Sequence, residues 1–85
     1  IENPIRTIVI NLSRGRRDDM VKILQEFLIA QEKGSSAQAL VRVGATGYFG
    51  SITQKALAEF QASVGIKPAL GYFGPITRAY LSAQY

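Results

Sequence analysis

Apolar residues recur at helical spacing in three stretches of the chain. Val21, Leu24 and Leu28 lie three and four apart with Phe27 beside them, which lines one face of a helix from about Asp19 to Gln31. Asp18 or Asp19 is available as its cap and Gly34 as its stop. Ile52, Ala56, Phe60 and Val64 recur every four residues with Leu57 alongside, predicting a second helix from about Ser51 to Val64, closed by Gly65. A third begins at Pro75 and carries Ile76, Ala79, Tyr80 and Ala83 toward Tyr85. Two segments lack this period. Ile5 to Leu12 contains a β-branched, apolar run and reads as a short strand or an extended arm across the bundle. The glycine-punctuated stretch from Gly34 to Thr46 reads as part of a loop spanning 31–46, with only Leu40 to Val43 strand-like, so two short extended pieces are free to pair. The expected fold is all-α: a small three-helix bundle in residues 14–85, preceded by an N-terminal arm or linker in residues 1–13.

Sliding the chain over itself exposes a repeat. GYFGSIT at Gly47 to Thr53 returns as GYFGPIT at Gly71 to Thr77, six of seven positions identical at an offset of 24. This predicts two copies of one device, a glycine-aromatic turn leading into a helix. Gly50 and Gly74 fit helix N-caps, and Pro75 fits the first helical position, where its missing donor is not needed. Thr53 and Thr77 then fall in the first helical turn, where a hydroxyl can satisfy a free backbone group. Within each turn, Phe49 and Phe73 are expected to plug the core, leaving Tyr48 and Tyr72 to point outward. Gln25 and Gln61 share one setting, with an apolar residue four before and another three after, so both lie on a core stripe. A buried amide there needs partners, and the backbone of the glycine turns supplies them; hydrogen bonding to a ligand at the stripe's edge is the other reading.

Composition narrows the chemistry. The 85 residues include no cysteine, histidine or tryptophan. That removes disulfides, thiolate nucleophiles and histidine-based zinc or acid/base constellations. Asp18 and Asp19 are adjacent, Glu26 and Glu59 lie at solvent positions on separate helices, and no serine has a base to activate it, so no catalytic, metal or cofactor site is expected. The net charge of +4 divides evenly about residue 42, and the final helix offers only Arg78 as a cationic reader, so no nucleic-acid partner is expected. Arg14, Arg16 and Arg17 precede two aspartates and read as a solvated helix entrance. Apolar runs such as Phe27 to Ala30 are far short of a membrane span. The opening residue is Ile1, as in a processed chain or an excised domain.

Gly15, Val21, Leu24, Gln25 and Leu28, then Gly47, Phe49, Gly50, Thr53, Ala56, Phe60, Gln61, Gly65 and Ile66, then Gly71, Phe73, Gly74 and Thr77 form one ordered signature. It resembles the peptidoglycan-binding domain family, small three-helix modules attached to bacterial cell-wall hydrolases, amidases and transpeptidases. Thr46 and Leu70 depart from the pattern, since the family commonly places Asp before each turn glycine, and Met20 stands where an Asp usually precedes the helix valine. The resemblance implies a non-catalytic, extracytoplasmic module that anchors or targets an attached protein to the wall. Its partners would be peptidoglycan and an attached cell-wall enzyme domain. The ligand-binding residues it suggests are Tyr48 and Tyr72, whose phenols can stack on sugar faces, with Gln54, Arg78, Gln25 and Gln61 beside them. Arg78 follows Thr77 as Gln54 follows Thr53, and is placed to offer a carboxylate fork beside Tyr72. The alternative is a helical docking or regulatory domain packed on a neighbouring catalytic domain.

Overall fold

The computed structural model describes residues 4–31 and 34–85. A 3₁₀ turn at Pro4–Thr7 precedes four α-helices: α1 Asp19–Gln31, α2 Ser35–Val43, α3 Ser51–Ser63 and α4 Pro75–Gln84. The regular elements among the described residues are all helical. The three-helix expectation is corrected to four, because most of the stretch read as a 31–46 loop is helical; Glu32 and Lys33 lie outside the described residues. Leu40 to Val43, read as strand-like, is the end of α2.

The helix α2 escapes local reading because its start is supplied from far along the chain. Gly34 occupies its N-cap without a side chain to offer. Glu59 of α3 takes over that task, accepting the Ser36 N–H at 3.1 Å and the Ser36 hydroxyl at 2.6 Å. A carboxylate is well suited there, since it satisfies an orphan donor at the positive end of the helix. Glu59 is therefore no free solvent carboxylate. Ala37 and Leu40 are the buried members of α2, a short apolar stripe on a nine-residue helix.

The other starts are local. Asp18 opens α1 by accepting the Met20 N–H on Oδ1 at 2.9 Å, and that bond, helped by the nearby Arg16, holds its carboxyl below the ordinary 3.8. The stabilisation from this depressed value is complete above the ordinary carboxylate range and is lost as pH falls through the folded-state value. Denaturation midpoints recorded across the acid range should fall less steeply for Asp18→Asn than for the parent chain. Gly50 and Gly74 cap α3 and α4 in extended conformation, with Pro75 at the first position of α4.

The core collects Val21, Leu24, Phe27 and Leu28 of α1, Leu40 of α2, Ala56, Leu57 and Phe60 of α3, Leu81 of α4, and both turn phenylalanines. Phe27 meets Phe60 edge-to-face at 5.3 Å. The described part of the N-terminal arm is built into this core: Ile5, Ile8 and Leu12 are buried. Its residues 1–3 lie outside the described ones. The arm does not pair with the 40–43 segment. Leu12 instead forms an antiparallel bridge with Phe73, exchanging two backbone bonds of 2.9 Å, and residues 15–18 run on beside the first turn.

Candidate functional site

Each glycine-aromatic turn is held by one glutamine in the same way. Gln25 of α1 accepts the Gly47 N–H on Oε1 at 2.9 Å and donates through Nε2 to the Tyr48 carbonyl at 2.9 Å and the Thr53 hydroxyl at 3.0 Å. Gln61 of α3 repeats the set with Gly71 at 2.9 Å, the Tyr72 carbonyl at 2.8 Å and Thr77 at 2.9 Å. Both amides are 1% exposed. The oxygen and both donor positions of each amide are thus engaged with groups that burial would otherwise leave unpaired. Thr53 and Thr77 do sit in the first helical turn, but their hydroxyls accept from the glutamines. The two clamps form a relay: α1 grips the turn that starts α3, and α3 grips the turn that starts α4.

With the backbone pinned at Gly47–Tyr48 and Gly71–Tyr72, alternation decides what each aromatic ring does. Phe49 and Phe73 enter the core, while Tyr48 is 39% exposed and Tyr72 46%. Each tyrosine ring lies across the glycine two residues on: a methyl group on Gly50 would come within 3.1 Å of Tyr48 Cε2, and one on Gly74 within 2.5 Å of Tyr72 Cε2. The glycines are therefore seats for the rings as well as caps. Gly74 has φ −118°, which alanine adopts freely. Gly74→Ala should leave the fold standing, with a loss of about 1 kcal/mol from the poorer N-cap, while displacing Tyr72; a changed Tyr72 ring environment by NMR with a melting temperature lowered by about 4–8 °C is the expected result.

The two rings differ in their outer faces. The Arg17 guanidinium sits 4.5 Å from the Tyr48 ring centroid, a cation–π contact brought about by the antiparallel pairing of Arg17 with Tyr48. Among the described residues Tyr72 has no such cover. Beside each ring lies a groove. The first, of about 230 Å³, runs past Leu40, Val43, Thr46, Tyr48 and Ser51. The second, of about 130 Å³, is lined by Ile66, Lys67, Pro68, Leu70, Tyr72, Pro75 and Ile76 among others.

The remaining candidates are tied to neighbours. Gln54 is half-buried and donates to the Leu70 carbonyl at 3.3 Å, linking α3 to the second turn. Arg78, also half-buried, hydrogen-bonds Asn11 of the N-terminal arm. Gln25 and Gln61 lie beneath the turns whose tyrosines they hold up. Arg17 was hidden in the sequence: within a basic triplet nothing local distinguishes the one side chain that reaches an aromatic ring.

The described residues thus bring together exposed aromatic rings and adjoining grooves on a helical frame, and among them there is no cluster of metal-ligating side chains. The family model for the peptidoglycan binding domain matches residues 17–81, and the chain belongs to that family. The family is one of binding domains. No curated protein and no solved structure matches the chain. No helix among the described residues is long and apolar enough to cross a membrane.

Proposed function

We propose that this chain is a non-catalytic module that binds peptidoglycan outside the bacterial cytoplasm and anchors or targets an attached protein to the wall, with the two tyrosine rims as its contact surface. The observation that carries this is the duplicated clamp. Two buried glutamines on different helices each use the amide oxygen and both N–H donors to hold a turn whose tyrosine stays exposed. A stable fold has no need to present two large aromatic rings to water, whereas saccharide and peptide ligands are held by rings of this kind with a few polar groups nearby. Arg17 adds a cation beside the first ring, suited to the carboxylates of a wall peptide.

Incubation of the purified chain with insoluble sacculi, followed by centrifugation, tests this. The chain should enter the pellet, with part of the binding surviving raised salt because ring contacts are not screened as charges are. Retention in the supernatant at every salt concentration would refute wall binding and favour the docking alternative, for which Leu70 and Ile76, exposed beside Tyr72, offer apolar surface.

A further inference from the structure

The two grooves occupy equivalent places in the repeat yet differ in chemistry. Where Thr46, whose hydroxyl accepts the Tyr48 N–H at 3.2 Å, and Ser51 line the first, Leu70 and Pro75 line the second at the matching positions. Its polar members, Gln61 and Thr77, are bonded to each other at 2.9 Å, and Gln61 is buried and fully engaged. Pro75 has no N–H to give. Lys67 is the charged side chain of the lining. Leu70 and Ile76 are 65% and 60% exposed on its walls, and Tyr72 closes one side.

Such a groove is poorly matched to sugar. A glycan ring carries a hydroxyl or acetamido group at most carbons, and each one set against these walls would surrender its water for no partner. Methyl groups suit these walls, and the cation in the lining favours a ligand that ends in an anion.

We propose that this second groove is a subsite for the alanine-rich end of the peptidoglycan stem peptide, which places its methyl groups between Leu70, Tyr72 and Ile76 and its terminal carboxylate against Lys67. The subsite rests on the wall-binding function proposed above and assigns the peptide, rather than the glycan, to the second turn. The first groove, with Thr46, Ser51 and the Arg17-covered Tyr48, keeps the polar groups that the second has lost.

Amide chemical shifts recorded while titrating N-acetyl-D-alanyl-D-alanine, and separately its C-terminal amide, test the subsite. The free acid should move the amides of Ile66, Leu70 and Ile76 and bind several-fold more tightly than the amide derivative. Lys67→Gln should abolish that preference, and Leu70→Asp should weaken the acid about tenfold. Both positions are exposed, so both variants should fold. Equal binding of acid and amide, or a groove that responds to an N-acetylglucosamine trimer but not to the dipeptide, would overturn the proposal. Competition in the sedimentation assay separates the two levels: release of the chain from intact sacculi by soluble, stem-free glycan strands but not by the dipeptide overturns the subsite and leaves wall binding intact, whereas no sedimentation with intact sacculi overturns both.

Discussion

Gln61→Leu should be among the most destabilising single changes in the chain. Leucine matches the volume of the amide but cannot replace its three bonds, and the Gly71 N–H, the Tyr72 carbonyl and the Thr77 hydroxyl all lose their partner together. Stranding a buried polar group costs about 1–3 kcal/mol, so a total of about 3–5 kcal/mol is expected, allowing for water to reach the Tyr72 carbonyl. For a domain this small each kcal/mol lowers the melting temperature by about 4–8 °C, which makes the change visible as a loss of more than about 12 °C. Gln25→Leu should behave alike, because it strands the equivalent groups of the first turn. Gln54→Leu is the control: it gives up one exposed bond of 3.3 Å and should cost less than about 1 kcal/mol. Thermal denaturation of the three variants would rank them. A Gln61→Leu variant as stable as the Gln54→Leu variant would mean that the clamp does not hold the turn.

The second large effect is expected at Gly71. Its φ of +80° belongs to the left-handed region, and a β-carbon there would overlap the Gln54 carbonyl oxygen and come within 2.6 Å of Gln54 Cγ. The carbonyl is backbone of the first turn of α3 and cannot rotate aside. Gly71→Ala thus carries both the conformational strain, about 1–3 kcal/mol, and the cost of levering the second turn off α3, for a sum above about 3 kcal/mol. Gly65 has a similar φ of +82° with open space around its α-carbon, so Gly65→Ala carries the strain alone. The first-turn counterpart Gly47, at φ +85°, would meet only the Asp18 carbonyl at an ordinary 3.5 Å. The two repeat glycines should therefore differ, Gly71→Ala lowering the denaturation midpoint well beyond Gly47→Ala. Equal losses at 47, 65 and 71 would show that strain, not crowding against α3, sets the requirement.

Much of the frame was legible in the sequence, for reasons particular to each element. The boundaries of α1 and the starts of α3 and α4 agree with Asp18, Gly50, Gly74 and Pro75 because caps act over a few residues and leave a local mark. The glutamines were legible as braces of the glycine turns because a polar side chain on an apolar stripe must find partners. The helix α2 was not legible. Its flanks, Gly34 and Gly44, read as breaks, Val41 and Val43 favour strand, and the carboxylate that completes its first turn comes from Glu59 on another helix. The arm's partner was equally obscure: Leu12 joins Phe73, 61 residues away, and no periodicity encodes such a pairing. At the site, the outward tyrosines followed from alternation with buried phenylalanines, whereas Arg17 over Tyr48 depends on a backbone bridge between segments 31 residues apart. The divergence of the grooves was present in the sequence as Thr46 against Leu70 and Ser51 against Pro75, but it took on meaning only once those residues were seen to line matching clefts.

The claim on which the functional account depends is that the paired tyrosine rims are what touches the wall. Amide shift mapping with soluble muropeptides that carry both disaccharide and stem tests it most directly. Perturbations concentrated at 46–51 and 66–76, and lost in a Tyr48→Ala/Tyr72→Ala double variant that keeps its fold, are the predicted outcome. Perturbations confined to the far ends of α1 and α4, around Gln31 and Tyr85, with the tyrosine turns silent, would contradict it.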